Sequence, residues 1–437
     1  MEEHKLSLST AILININVML GAGIFLNTAN LAQGAGALGF LAYVLVGLLM
    51  LPLILSMVKL LQLHPTGGFY VFGREEVNPF FGFFGTWSYF VGKLASATVM
   101  IHASVLLIQQ IIPMLGKISP YAIDCGIIGI FVALNTLNLK AGSKIQTGFL
   151  IFKTVPIFFA ILVGLFLFNP GNFVATNLIW TGIAGKLPLV IFALSGFEAA
   201  ISLSSQIKDP RRNAPLAVLC SYLIVATIAA LYQFAFYGAV GDIIGSAGDY
   251  RTVFPALLGK ILPAAPEAVG TFTALLHLAI ASSALGGSYG ILFSNAWNLH
   301  MLATKGHLFA SHLFTRFNKH LIPVACVLLE GLICLTYLFV SSGVEEKVQI
   351  TRLQSIGATG NITAYTLSVL ALFIGTLRKK ELTNLRWLPA AGLVSCSMLI
   401  GFCINGFLIN GITPLIAFAL LVTSGCAMFF CTRRSYQ

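Results

Sequence analysis

The sequence predicts an all-α membrane protein of twelve transmembrane helices, on three observations. First, 437 residues that are 57% hydrophobic and 9% charged, with a mean hydropathy of +0.91, carry more apolar surface than a soluble core of this length can hide. Second, apolar runs long enough to cross a ~30 Å hydrocarbon core, about 20 helical residues, alternate with polar punctuation. Third, the lysines and arginines fall unevenly between the two sets of loops those runs define.

The spans are expected at 8–33, 37–62, 79–112, 119–138, 144–168, 180–205, 214–239, 268–299, 322–341, 349–376, 387–407 and 411–431. The seven residues ahead of span 1 are short, and the apolar segment after them lacks a cleavage-type sequence, so this span is expected to stay in the protein. With the N-terminus inside, Lys5 precedes span 1, and Lys59 and Arg74 flank the loop between spans 2 and 3. Lys140 and Lys144 mark the 4–5 loop, Lys208, Arg211 and Arg212 the 6–7 loop, and Lys305, Arg316 and Lys319 the 8–9 loop. Arg378, Lys379, Lys380 and Arg386 join spans 10 and 11, and Arg433 and Arg434 come after span 12. The opposite face holds only Lys117, Arg251, Lys260 and Lys347, while Lys93, Lys153, Lys186 and Arg352 lie within spans. Both termini are therefore expected in the cytoplasm of a cell membrane.

This asymmetry accounts for the net charge of +11 through loop retention and anionic headgroups, so no nucleic-acid partner is expected. The eight cysteines sit in or beside apolar spans without a CxxC pair and read as small buried hydrophobes. Neither HExxH nor GxSxG nor a pair of carboxylates suggests an enzyme, and no metal or cofactor is expected.

Spans 1–5 and 6–10 form two sets of five with opposite orientation, and the first helix of each is flawed in a comparable place. Span 1 carries "GAGIF" (Gly21–Phe25) and span 6 "SGFE" (Ser195–Glu198). Interrupted segments at matching positions of inverted halves point to a transporter binding site. A helix unwound in mid-membrane frees backbone groups that each cost several kcal/mol unless satisfied. The half-helix starting at Gly21, Ala22 and Gly23 would offer N–H groups and a positive dipole end to a carboxylate. Carbonyls around Met19 and around Phe192–Ser195 would suit an ammonium, and together the breaks describe a site for a zwitterion.

With "PTGGFYVFGREEVNPFFGFFGTW" (Pro65–Trp87) and "FALSGFEAAISLSSQIKDPRRNAPLA" (Phe192–Ala217), these motifs resemble the amino acid/polyamine/organocation transporter superfamily, and bacterial amino-acid antiporters in particular. The resemblance covers nearly the whole chain. It implies a five-plus-five inverted-repeat fold with broken helices 1 and 6, a core over 1–376 (repeats 8–168 and 180–376), two appended helices over 377–437, and alternating access. It implies a substrate site at Met19, Gly21, Ala22, Gly23, Ile24, Tyr89, Phe192, Ser195 and Gly196, with Phe192 as an aromatic gate. Ala22 stands where relatives often have serine, Asn15 and Asn17 where they have small or apolar residues, and Gln206 where they often have an acid.

Lys153 lies about ten residues into span 5, ~15 Å along the helix and near the bilayer centre. An intramembrane charge is a site by default, although a structural contact with an interior carbonyl is the plainer reading. By resemblance it matches a lysine on span 5 of sodium-independent relatives, which predicts sodium independence; Ser282 and Ser283 are the residues a sodium ion would use. Glu198 matches the family's acid beyond the span 6 break and would either couple protons or cap freed N–H groups. Lys93 would pair with Glu198, attract an acidic substrate or line a cavity. His102 and His277, isolated in their spans, read as packing residues or proton relays. His300, His307, His312 and His320 lack ligand spacing and are expected to be solvated.

The function expected is a secondary amino-acid transporter, most simply a sodium-independent exchanger of neutral amino acids. A proton symporter, and a non-transporting sensor of the same fold, are the alternatives. Partners are an amino acid and the lipid bilayer, with protons left open.

Overall fold

The computed structural model describes residues 5–21, 23–174, 180–246 and 250–434. The chain runs through α1 (Leu8–Met19), α2 (Gly23–Ala35), α3 (Gly39–Leu63), α4 (Phe69–Glu76), α5 (Pro79–Ile111), α6 (Pro120–Asn135), α7 (Leu139–Phe166), α8 (Trp180–Leu194) and α9 (Ala199–Ser202). It continues through α10 (Pro210–Val240), α11 (Ile243–Ser246), α12 (Val253–Ile261), α13 (Pro266–Thr304), α14 (Ser311–Phe314), α15 (Val324–Val340), α16 (Glu346–Arg378), α17 (Trp387–Asn410) and α18 (Thr413–Arg434). No strand occurs among the described residues; one isolated parallel bridge joins Leu6 to Ile207.

The helix starts reflect local chemistry. Ser7, Asn78 and Asn138 place a side-chain oxygen on the N–H of Thr10, Phe81 and Ala141, and Pro79, Pro120, Pro210 and Pro266 open their helices where the missing N–H costs nothing. Eight stretches among the described residues are long and apolar enough to cross a membrane, and α1, α6 and α15 are shorter apolar helices. Short α4, α11, α12 and α14 lie in the connections, where run length gives no sign of them.

At the centre stands α5, 89% of whose apolar stretch is buried. It packs against α13, α16, α4, α15, α6 and α18. A Cβ added to Gly92 of α5 would lie 2.6 Å from the Cα of Gly360 in α16, so two backbones meet there with no room for side chains. Outer faces carry exposed apolar residues such as Phe152, Leu162 and Phe166 of α7, as contact with acyl chains requires.

The connections around α4 and between α16 and α17 are tied down individually. Glu76, at the end of α4, is buried and receives His64 at 2.7 Å, Lys379 at 2.7 Å, and through its carbonyl the Arg378 guanidinium at 3.0 Å. Burial alone would raise its pKa, but the His64 and Lys379 hydrogen bonds outweigh it and hold the carboxyl below its usual range. Three of the four loop histidines expected to be solvated are half-buried instead, and only His312 is exposed: His300 meets the Phe314 carbonyl at 3.0 Å, His307 the Tyr70 hydroxyl at 2.7 Å, and the His320 backbone N–H donates to Asn318 Oδ1 at 2.9 Å. The cysteines are likewise mixed, with Cys326, Cys334, Cys396 and Cys403 buried and Cys431 exposed, since the last helix turns one flank outward.

Candidate functional site

Both interruptions read from the glycine-bearing segments are real breaks, and they face each other. The first separates α1 from α2: after Met19 the chain leaves the helix at Leu20 and Gly21 and resumes at Gly23. Ala22 lies outside the described residues. The second separates α8 from α9 over Ser195–Glu198, where Gly196 adopts φ 122°, a conformation side chains rarely take. A Cβ on Gly196 would also stand 3.1 Å from the Met19 backbone. One on Gly23 would stand 2.9 Å from Ala193 Cα and 3.4 Å from the Phe192 ring, so Phe192 lies over the start of α2. Met19, Ile24 and Ser195 are buried around the same meeting point.

The freed carbonyls at the end of α1 do not wait for a ligand. Lys153 of α7, wholly buried, donates from Nζ to the Asn17 carbonyl and the Leu20 carbonyl, each at 2.7 Å. Ser283 of α13 adds a hydroxyl to the Leu20 carbonyl at 2.9 Å. One ammonium thus bridges the broken helix to α7, and a serine bridges it to α13. The carbonyls at this end of α1 that were expected to suit a substrate's ammonium hold an internal one, a side chain already in place losing less freedom than a diffusing ligand.

Glu198 closes the second break. Its Oε2 accepts the Gly196 N–H at 2.8 Å, while Oε1 accepts Lys93 Nζ at 2.6 Å and the Tyr89 hydroxyl at 3.2 Å. Of the three roles open to Lys93, the structure shows the ion pair, formed by side chains 5% and 0% exposed. Its ammonium also lies 5.7 Å from the centre of the Tyr89 ring. Tyr89, at 1% exposure, is enclosed within the protein.

Of the two asparagines out of place in the sequence, Asn15 stitches the breaks together and Asn17 ties the end of α1 to α7 and α13. Asn15 donates to the Phe197 carbonyl at 2.7 Å and to Ser221 at 3.0 Å, and accepts the Ala200 N–H at 2.7 Å. Asn17 donates to the Gly286 carbonyl at 2.9 Å and to Gln146.

Met100, Gly287, Asp124 and Glu330 were not singled out from the sequence. Met100 of α5 has its Cε 2.7 Å from where a Gly21 Cβ would be, and Gly287 of α13 backs onto the same residue. Isolated in its span, His102 is in fact paired, with Nδ1 2.7 Å from Asp124 Oδ2 across α5 and α6. Glu330 of α15 is fully buried, and neither carboxyl oxygen has a hydrogen-bond partner among the described residues. An intramembrane acid is the signal that would have flagged it and Asp124. The groove between α3 and α10 is lined by Tyr43, Gly47, Leu48, Tyr222 and Phe234 among others and by no residue of either break, although Tyr222 packs on Phe197 at 5.8 Å between ring centres.

Comparison with known proteins agrees with this architecture. A family model described as amino acid permease matches residues 6–430. An uncharacterized transporter of Mycobacterium bovis is 25% identical over 248 residues, covering 54% of this chain and 53% of the relative, and one of Mycobacterium tuberculosis matches equally. The chain thus spans about half the length of these curated relatives. With two facing helix breaks inside an all-helical, membrane-suited frame and a family match over nearly its full length, the chain belongs to the amino acid permease family.

Proposed function

We propose that the protein is a secondary active amino-acid transporter, a sodium-independent exchanger of neutral amino acids working by alternating access. In this reading the helices form twelve spans, with a core over 1–376 in two inverted repeats (8–168 and 180–376) and two appended helices over 377–437. Both termini lie in the cytoplasm of a cell membrane. The substrate zwitterion binds between the two breaks: its carboxylate meets the N-terminus of α2 at Gly21, Ala22, Gly23 and Ile24, and its body lies against Met19, Tyr89, Phe192, Ser195 and Gly196. Lys153, Glu198 and Lys93 act in coupling and gating.

The observation that carries sodium independence is the Lys153 ammonium, 2.7 Å from both the Asn17 and Leu20 carbonyls and sharing the latter with Ser283. In sodium-coupled proteins of the fold this chain resembles, a cation links spans 1 and 8 near this place. A fixed ammonium on those oxygens repels a second cation and does the linking itself.

Purified protein in liposomes, offered labelled amino acids with and without internal unlabelled amino acid, tests this directly. Uptake that requires internal substrate and is unchanged when K⁺ replaces Na⁺ is the expected result. Uptake into empty vesicles driven by a proton gradient would make it a symporter, and strict dependence on Na⁺ would refute the role given to Lys153.

A further inference from the structure

The acid at the second break is not free to meet a ligand. Glu198 Oε1 is held by Lys93 at 2.6 Å and Tyr89 at 3.2 Å, and Oε2 by the Gly196 N–H at 2.8 Å. The pair links α5 to the unwound part of α8–α9, and it is enclosed on both sides, with Glu198 at 0% and Lys93 at 4% exposure. It stands directly behind the meeting point of the breaks, since Gly196, which Glu198 holds, packs on Met19.

A buried charge with its partner removed is strongly unfavourable, whereas a balanced pair tolerates neutral neighbours. A ligand bringing an ionised side chain up to this pair would find its two charges already matched and would leave its own unpaired. We propose that Lys93 is a specificity-determining residue: by neutralising Glu198 from within, it confines the substrate to amino acids with uncharged side chains. This rests on the transport reading and deepens it. The two single variants should shift specificity in opposite directions. Removing Lys93 leaves a carboxylate that a cationic side chain can satisfy, and removing the Glu198 charge leaves an ammonium that an anionic side chain can satisfy. A pair that only tied α5 to α9 would give neither; both single variants would lose stability and keep the ranking of substrates.

The test compares the wild type with Lys93→Met, Glu198→Gln and the double variant, each reconstituted in liposomes, by counterflow of labelled leucine, alanine, lysine, ornithine and glutamate. Wild type is expected to exchange leucine and alanine and to exclude the three charged amino acids. Lys93→Met should gain lysine and ornithine relative to leucine by on the order of tenfold or more, Glu198→Gln should gain glutamate similarly, and the double variant should gain neither. Single variants that exchange leucine with an unchanged ranking overturn the proposal. Should the single variants fail to fold, a wild type that accepts lysine or glutamate as readily as leucine, or a double variant that gains either, still overturns it. A wild type that moves none of the five amino acids refutes the transport reading itself, a result distinct from wild-type exchange with unresponsive variants.

Discussion

At the level of single residues, the breaks survive because side chains replace the hydrogen bonds that a continuous helix would have made. Lys153 does this for Asn17 and Leu20, and Asn15 for Phe197 and Ala200. An unsatisfied buried carbonyl costs about 1–3 kcal/mol. Lys153→Met, which keeps the stem and removes the ammonium, strips Asn17 of this donor and leaves Leu20 with Ser283 alone. We expect a lowered Tm and a more than tenfold fall in counterflow, on the scale of ~1.4 kcal/mol per factor of ten. Ser283→Ala, with Lys153 still on the Leu20 carbonyl, should cost about 1 kcal/mol in thermal or denaturant unfolding. Comparable losses for the two variants would refute the primacy given to the ammonium.

Among whole elements, the half-helices are joined at their ends as well as at the breaks. The segment ahead of α1 pairs with the turn after α9: the Leu6 N–H donates to the Gln206 carbonyl at 2.8 Å, and the Lys208 N–H to the Leu6 carbonyl at 2.9 Å. If alternating access separates these ends in each cycle, a Leu6→Cys/Ile207→Cys pair should arrest exchange when oxidised and release it on reduction, with bridged neighbours at the spacing a disulfide needs. Full activity of the oxidised protein would mean that the two ends move as one body. Between α5 and α16, Gly92→Ala would force a Cβ to within 2.6 Å of the Gly360 backbone, and overpacking of this kind costs ~1–3 kcal/mol. Its Tm should fall accordingly, and more than that of Gly126→Ala, where nothing lies within 4 Å.

Across the molecule as a whole, stability should vary with pH through groups outside the spans. His307 joins three parts of the fold: it bonds Tyr70 of α4, and its ring lies 5.9 Å from Phe83 of α5 and 4.8 Å from Phe429 of α18. Burial, with Arg74 and Lys305 nearby, pushes its pKa down to about 4. An unfolded chain protonates this histidine below its ordinary value near 6.5, so between about 4 and 6.5 the unfolded state binds more protons and stability falls with falling pH. The lowered Glu76 carboxyl acts in the same sense further down, its contribution present above the ordinary carboxylate value and lost as pH falls through the folded one. Tm measured across this range should decline towards acid, and His307→Gln should flatten the upper part of the slope. A slope unchanged in that variant would place the titration elsewhere.

What the sequence determined by itself was the solvent and the flaws. Apolar run length reports the membrane because crossing it takes a set number of helical residues, so helices arose close to the expected spans. Glycines within such runs report the breaks, and Gly23 and Gly196 stand where the backbone needs room or a left-handed turn. Lys153 and Glu198 could be singled out because a charge in hydrocarbon is costly enough to need a reason. Only the tertiary structure decided how each charge is answered. Lys93 and Glu198 are 105 positions apart, and Asn15 and Ala200 185, so their pairing depends on how α1, α5 and α8–α9 pack rather than on any local pattern. The same holds for Met100 over Gly21 and for Asp124 beside His102: run length and periodicity place a residue on a helix, but only the packing of helices says which face meets which.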